Sequence, residues 1–194
     1  MGNIVTDRSY QQMAEDMIEE ALFPTQASYD TFPTARYPAS TRLKGADDFT
    51  WTVWPSGTGM IRWKCLTTEG PSDFLAGAWL VSLNCEVAIA VLGPKSADEI
   101  TGSPAGHQTV VNDLYKASEV IRKQLFDSTL TQGEFGISST TVVTGQGTSP
   151  YKRVWDVTLG SQTVEQRTGA GEDDNLGPNA WIGVLPVTIQ IVVL

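Results

Sequence analysis

The sequence predicts an α+β fold: a mainly antiparallel β-sheet packed by one long amphipathic helix, with an additional N-terminal helix. Two segments carry apolar residues at helical spacing, and they lie before and after the first group of strand-like segments. The remaining strong segments alternate apolar and polar residues, as strands with one buried face do. Runs of strands with only two helices favour α+β over an alternating α/β architecture. The expected element order is α-β-β-β-α-β-β-β.

Composition predicts one domain over residues 1–194, because 41% hydrophobic content in a chain of this length can bury a core. Charged residues make up only 18%, so polar uncharged residues or other subunits must cover much of the surface. The formal net charge of -9 argues against binding duplex DNA, because phosphate contacts need Lys and Arg. No apolar run is long enough to span a membrane.

The first predicted helix covers residues 7–22, with Asp7 as its N-cap and Pro24 beyond its end. Its apolar stripe is Tyr10, Met13, Ala14, Met17, Ile18, Ala21 and Leu22. Its polar stripe is Gln11, Gln12, Glu15, Asp16, Glu19 and Glu20. The stripes predict that one helix face packs on the core and that Glu15 faces solvent.

Residues 24–48 are expected to form an extended arm, because three prolines forbid a long helix there. Four aromatic residues lie within this stretch or directly before it, more than a disordered linker would carry. The aromatic residues are Phe23, Tyr29, Phe32 and Tyr37. The arm is therefore expected to lie either on its own core or on a neighbouring subunit.

Residues 49–54 and 60–67 predict two strands joined by a turn at 55–59. Three tryptophans lie in this hairpin, and two interpretations of them stay open. They pack in the core, or they form a subunit interface, where tryptophan is enriched. The three candidates are Trp51, Trp54 and Trp63.

Residues 79–92 have the clearest strand pattern, with alternation from Val81 to Val91. Cys85 lies on the apolar face of this strand. Two cysteines do not make a disulfide scaffold in a domain of this size. Cys65 and Cys85 are expected to be buried free thiols, and a cross-strand bridge between them is the alternative.

The second predicted helix runs from about Gln108 to Phe126, with the lone histidine, His107, just before it as an N-cap or surface residue. Its apolar positions are Val110, Leu114, Ala117, Ile121 and Leu125. The polar residues assigned mostly to the opposite face are Asn112, Asp113, Lys116, Glu119, Arg122 and Lys123. The helix is expected to pack its apolar stripe on the sheet.

The remainder predicts a hairpin of residues 135–144 and 151–159, a long Gly-rich acidic loop at about 160–180, and a last strand over 181–194. Pro186 cannot donate to a strand ladder, so it marks an edge, a bulge or the true start of that strand.

Catalytic and metal-binding motifs are missing from the sequence. Neither a Gly-x-Ser-x-Gly nor a His-Glu-x-x-His motif occurs, and two cysteines with one histidine do not predict a zinc site. The run Glu172-Asp173-Asp174-Asn175 offers hard oxygen ligands but lacks a calcium-loop register, so a solvated acidic loop is the favoured interpretation. The sequence thus predicts a protein that is not an enzyme, with no cofactor and no metal.

The order of elements, the chain length and the late strand Val187–Val193 resemble the tail-terminator and related neck (head–tail joining) proteins of tailed bacteriophages. The resemblance covers most of the chain and rests on no diagnostic motif. It implies a non-enzymatic virion structural protein that forms a homo-oligomeric ring, expected as a hexamer, at the head–tail junction. The alternatives are another virion structural protein, for decoration or tail completion, or a small accessory enzyme.

The implied partners are further copies of the chain and other phage tail and neck proteins, with no membrane. DNA would pass through the ring without specific binding, along a negatively charged bore. The last strand, 187–194, is expected to be an edge strand that can pair between subunits. The expected location is the virion, after synthesis in the host cytoplasm.

Overall fold

A computed structural model describes residues 9–24, 32–49, 58–75, 78–92, 105–126, 152–167 and 180–193. Two helices and a mixed β-sheet make an α+β fold, so the predicted class is confirmed. The helices are α1 (Tyr10–Leu22) and α2 (Ala105–Phe126). The strands are β1 (Arg42–Lys44), β2 (Gly59–Leu75), β3 (Ala78–Leu92), β4 (Lys152–Leu159), β5 (Thr163–Arg167) and β6 (Ala180–Val193).

The described strands form one six-stranded sheet in the order β1-β2-β3-β6-β4, and β5 also pairs with β6. Strand β1 runs parallel to β2, whereas β2–β3, β3–β6, β4–β6 and β5–β6 are antiparallel pairs. Both helices pack on the same continuous apolar core as the odd-numbered residues of β3 from Val81 to Val91. A smaller apolar cluster that includes Phe49, Met60 and Ile182 lies apart from it.

Helix α1 begins later than predicted, and its cap is Ser9 and not Asp7. The Ser9 hydroxyl accepts from the Gln12 backbone N–H at 3.2 Å, and the Gln12 side chain accepts from the Ser9 N–H at 3.3 Å. This reciprocal capping box satisfies two backbone donors at once, which a lone Asp7 cap would not do. The predicted apolar stripe is buried from Met13 to Leu22.

The predicted strand 60–67 is confirmed as part of β2, which forms a long hairpin with β3. The predicted partner strand 49–54 lies almost wholly outside the described residues. Residues 50–57 lie outside the described part, while β2 continues past Thr67 to Leu75. The sequence of this extension reads as a turn because it contains Gly70, Pro71 and Ser72. The chain accommodates them with register shifts, and Gly70 supplies a φ of +115° that other residues rarely adopt.

Strand β3 matches its prediction closely. It pairs with β2 on one side and with β6 on the other. Helix α2 begins at Ala105, so His107 lies in its first turn and is not the cap before it. The predicted apolar positions of α2 are buried. The helix approaches β6 so closely that a Cβ on Gly183 would lie 2.3 Å from the Leu114 side chain.

Strand β6 lies inside the sheet, so the expectation that residues 187–194 form an edge strand was wrong. It was wrong because β4 pairs with one edge of β6 while β3 pairs with the other. The partner segment predicted for 151–159, residues 135–144, lies outside the described residues.

Strands β4 and β5 cover successive halves of β6 and are separated by a break at residues 160–162, opposite Pro186. The Gly160 N–H donates to the Pro186 carbonyl at 2.9 Å. Because the nitrogen and the carbonyl of a strand residue point to the same side, the Pro186 nitrogen also faces this break. Proline has no N–H to give, and the chain bulges where the ladder cannot continue. Residues 163–167 are therefore a strand within the stretch predicted as the loop 160–180.

Candidate functional site

The segment after α1 is joined to α2 by a polar cluster of buried Tyr37, buried Asp113 and half-buried Arg36. The Tyr37 hydroxyl donates to Asp113 Oδ2 at 2.5 Å, and Arg36 Nη1 lies 2.6 Å from the same oxygen. Asp113 is only 4% exposed although its position in the helix pattern predicts a polar face. Burial beside the Asp113 carboxylate raises the pKa of Tyr37 far above its usual value.

This cluster has the chemistry of a structural tie. Tyr37 is fully buried, and its ring packs between Phe32, at a centroid distance of 5.4 Å, and the backbone of Gly59. A Cβ on Gly59 would lie 2.5 Å from the Tyr37 ring, so only glycine allows this approach. With its hydroxyl donated to Asp113 and its ring enclosed, Tyr37 has no face open to a substrate.

A second buried group, the Glu15 carboxylate of α1, caps the edge of the sheet where β1 stops. Its Oε1 accepts from the Cys65 backbone N–H at 3.2 Å and from Gln11 Nε2 at 3.4 Å. Its backbone carbonyl accepts from Trp63 Nε1 at 3.0 Å. Glu15 is 6% exposed, so the prediction that it faces solvent was wrong. It is buried because the β2 edge needs an acceptor where no strand supplies one.

Cys65 and Cys85 are free, buried thiols that lie opposite each other in the β2–β3 register. Each thiol donates to a backbone carbonyl at 3.6 Å, Thr67 O for Cys65 and Leu83 O for Cys85. Interaction with the Cys85 thiol lowers the pKa of Cys65, whereas interaction with the Cys65 thiol, together with burial, raises the pKa of Cys85.

A cleft of about 370 Å³ lies between the start of α1 and the outer edge of β2. Cys65 lines it, and the other lining residues are Ser9, Tyr10, Gln11, Leu66, Thr67 and Thr68. Among the described residues, the lining contains one cysteine and several hydroxyl-bearing side chains, and it contains no His, Asp or Glu.

Exposed charges near β1 are arranged in ion pairs. Lys44 pairs with Asp16 and Glu19 of α1, and Lys64 pairs with Asp47. Arg62 Nη1 lies 2.6 Å from Glu86, while Arg62 Nε is buried with no hydrogen-bond partner among the described residues. These pairs link the first helix, the short strand and the hairpin, and exposed pairs of this kind contribute little stability individually.

The sequence-predicted interface candidates have different outcomes. Trp63 is a core residue, 1% exposed, and its ring packs 5.8 Å from that of Phe23. Trp51 and Trp54 lie outside the described residues. The aromatic residues Phe23, Phe32 and Tyr37 pack on this chain's own core, the first of the two positions expected for the stretch 24–48.

Of the residues that the sequence offered for catalysis or metal binding, His107 lies in the described part of the chain. His107 is half-buried and packs edge-on to Trp181, with ring centroids 5.1 Å apart. The acidic run Glu172–Asn175 lies outside the described residues. Within the described ranges no group of three or more His, Cys, Asp or Glu side chains is placed to hold a metal ion. Neither described helix combines the length and apolar content of a membrane span.

The outer edge of β2 beyond the end of β1 is exposed in the described part of the chain. Strand β1 pairs only with Ile61, Arg62 and Trp63, and no described strand pairs with this edge farther along. Residues 66–70 are exposed, and Leu66 has 53% of its surface accessible. The sequence analysis placed Leu66 and Thr67 in the strand 60–67 and assigned no element to residues 68–78, so it did not identify this edge.

Comparison with protein-family models and with curated proteins finds no match to this chain.

Proposed function

We propose that the protein is a non-enzymatic virion structural protein that assembles into a ring at the head–tail junction of a tailed bacteriophage, as a tail terminator or related neck protein. The observation that carries this proposal is the open, partly apolar outer edge of β2 past the end of β1. An unpaired strand edge presents N–H and C=O groups that another chain can continue.

The architecture supports this proposal. Four of the five described strand pairings are antiparallel and one is parallel, and the described part of α2 packs an apolar stripe against the sheet. We therefore propose a mainly antiparallel sheet with α2 as its principal amphipathic helix. These are the element types that the resemblance to neck proteins implies.

The chemistry of the described clusters also favours a structural role. The Asp113 and Glu15 carboxylates each bind groups that join distant parts of the chain, and no His, Asp or Glu is among the described residues that line the cleft beside α1. An enzyme would be expected to gather coupled titratable groups in a cleft. The formal charge of -9 suits a bore through which DNA passes without being held.

The surface assigned to self-association differs from the one that the sequence suggested. Strand β6 is covered on both sides, so the contact would be made by Leu66 and the exposed residues that follow it on β2. Register shifts after Cys65 and Glu69 make this edge irregular. An irregular edge restricts pairing to a partner of matching shape, which suits a closed ring better than an open fibre.

Native mass spectrometry of the full chain across a concentration series tests the proposal. We expect a discrete closed oligomer, a hexamer if the resemblance holds, either alone or after addition of tail tubes. The variant Leu66→Lys should remove that oligomer because it places an unpaired charge in the contact. The matched control is Tyr115→Lys, which adds the same charge at an exposed position of α2 and should assemble normally.

Circular dichroism and thermal melting should show both variants folded, so that loss of assembly is not loss of structure. A monomer at every concentration, with and without tail tubes, would contradict the ring. An oligomer that both variants leave intact would contradict the β2 edge as its contact.

A further inference from the structure

Hydrogen bonds at the outer edge of β2 determine the geometry of the Cys65–Cys85 pair. The Trp63 carbonyl accepts from the Gly45 N–H at 2.8 Å, so the polar groups of Trp63 face β1 and not β3. The Cys65 N–H faces the same outer edge, because it donates to the Glu15 carboxylate. Residues two apart on a strand share this direction, and the two observations agree.

Cys65 and Cys85 are therefore a non-hydrogen-bonded pair of the antiparallel ladder. Such pairs bring their Cα atoms to about 4.5 Å, closer than the hydrogen-bonded pairs at about 5.5 Å. A disulfide requires a Cα separation of about 4.4–6.8 Å. Both side chains also point into the same core cluster, so their Cβ atoms lie on one face of the sheet.

The two thiols differ in their access to solvent reagents. Cys65 lines the cleft between α1 and β2, whereas Cys85 is one strand farther into the sheet and does not line it. Both residues are buried, with 2% of Cys65 and 3% of Cys85 exposed, so a reagent in the cleft reaches Cys65 before Cys85 and does so when α1 and β2 open locally. The lowered pKa of Cys65 favours the thiolate, which is the form that attacks a disulfide.

We propose that Cys65 and Cys85 form a reversible dithiol–disulfide site that is oxidised by small disulfides entering through the cleft. The Cys65 thiolate attacks one sulfur of the small disulfide, whose S–S bond breaks and releases one thiolate. The Cys85 thiol then loses its proton and attacks Cys65 Sγ, which releases the second thiolate. Two cysteine thiols are oxidised, one small disulfide is reduced to two thiols, and the released thiolates take up the two protons.

The disulfide would fasten β2 to β3 at the first register shift of the hairpin, between Cys65 and Thr67. It closes a loop that contains the β2–β3 turn, which restricts the unfolded chain. We therefore expect the oxidised protein to melt at a higher temperature than the reduced protein by several degrees.

The test uses the reduced full-length protein, an excess of oxidised glutathione, an acid quench and intact-mass measurement under denaturing, non-reducing conditions. We expect a product that has lost two hydrogens and carries no glutathione, returns to the starting mass with dithiothreitol, and yields a Cys65–Cys85 linked peptide. Native protein that keeps both thiols free, or that stops at a glutathione adduct, would overturn the proposal.

Two conservative variants test the order of the steps. Cys85→Ser should hold a stable glutathione adduct at Cys65, because no resolving thiol remains. Cys65→Ser should leave Cys85 unmodified in the folded protein and reactive once the protein is denatured. Equal modification of the single cysteine in both folded variants would contradict the assignment of Cys65 as the attacking thiol, and the wild-type result stands by itself if either variant fails to fold.

Discussion

At the scale of single residues, the bond from Tyr37 to Asp113 joins positions 76 residues apart in the sequence. Tyr37→Phe removes only the hydroxyl, so at neutral pH we expect a loss of about 1.5–3 kcal/mol of unfolding free energy, the usual range for a hydrogen bond to a charged group. Urea denaturation at pH 7 would measure it. Tyr115→Phe, at an exposed site on α2, is the matched control and should change little.

The pH dependence of that difference follows from the raised pKa of Tyr37. In the unfolded chain the hydroxyl ionises near its usual pKa of about 10. In the folded protein it stays protonated to higher pH, so its contribution is complete below about pH 10 and falls as the pH rises further. The gap between the wild type and Tyr37→Phe should therefore narrow above about pH 10. A gap that stays constant or widens there would contradict the assignment.

The burial of apolar residues was predictable from the sequence, whereas the burial of two carboxylates was not. Leu114, Cys85 and the apolar stripe of α1 were predicted to be buried, and they are, because periodicity reports burial of apolar groups directly. Glu15 and Asp113 were assigned to polar faces and are buried. Their burial depends on distant partners, the Cys65 N–H and the Tyr37 hydroxyl, and a periodic pattern carries no information about such pairs.

At the scale of elements, the contact between α2 and β6 depends on the absence of a side chain at Gly183. Gly183→Ala would place a methyl group 2.3 Å from Leu114 Cδ1 and 2.5 Å from Val110 Cγ1, so the helix must shift. We expect a loss of about 1–3 kcal/mol, as is typical of overpacking. Chemical denaturation measures this loss against the wild type.

The matched control for this prediction is a double-mutant cycle with Leu114→Ala. That variant alone should cost about 2–5 kcal/mol by leaving a cavity. In the double variant the new methyl group enters the space that Leu114 vacates, so the combined loss should be smaller than the sum of the two single losses. Strictly additive losses would mean that the two positions do not compete for the same space.

Elements were predictable where the local pattern agreed with the tertiary context. The strand at Ala78–Leu92 was anticipated almost residue by residue because both its alternation and its burial are regular. The second half of β2 and the whole of β5 were not predicted. Both are polar strands without a clear apolar face, and the second half of β2 also contains residues typical of turns. The alternation of apolar and polar residues carries no information about the order of strands in a sheet. For that reason β6 was wrongly predicted to be an edge strand.

At the scale of the whole molecule, the charge of -9 predicts that neither the monomer nor an assembled ring retains duplex DNA. Phosphate binding draws its free energy from cations that release counterions, and this chain has 13 Lys and Arg against 22 Asp and Glu. Electrophoretic mobility of a short duplex at low salt should therefore be unchanged by added protein. A shifted band that disappears as salt is raised would contradict a negative bore, and a basic DNA-binding protein serves as the positive control.

The break between β4 and β5 is a position where the chain should tolerate an insertion. Because Pro186 has no N–H to offer, residues 160–162 contribute little to the ladder, and Ser161 is exposed at the surface. A peptide inserted after Ser161 would leave the strand pairings on both sides intact, and loop extension costs only about 0.6 kcal/mol for each doubling of length. The position after Ser161 is therefore suited to the insertion of a tag, a fluorophore or a segment acquired in evolution.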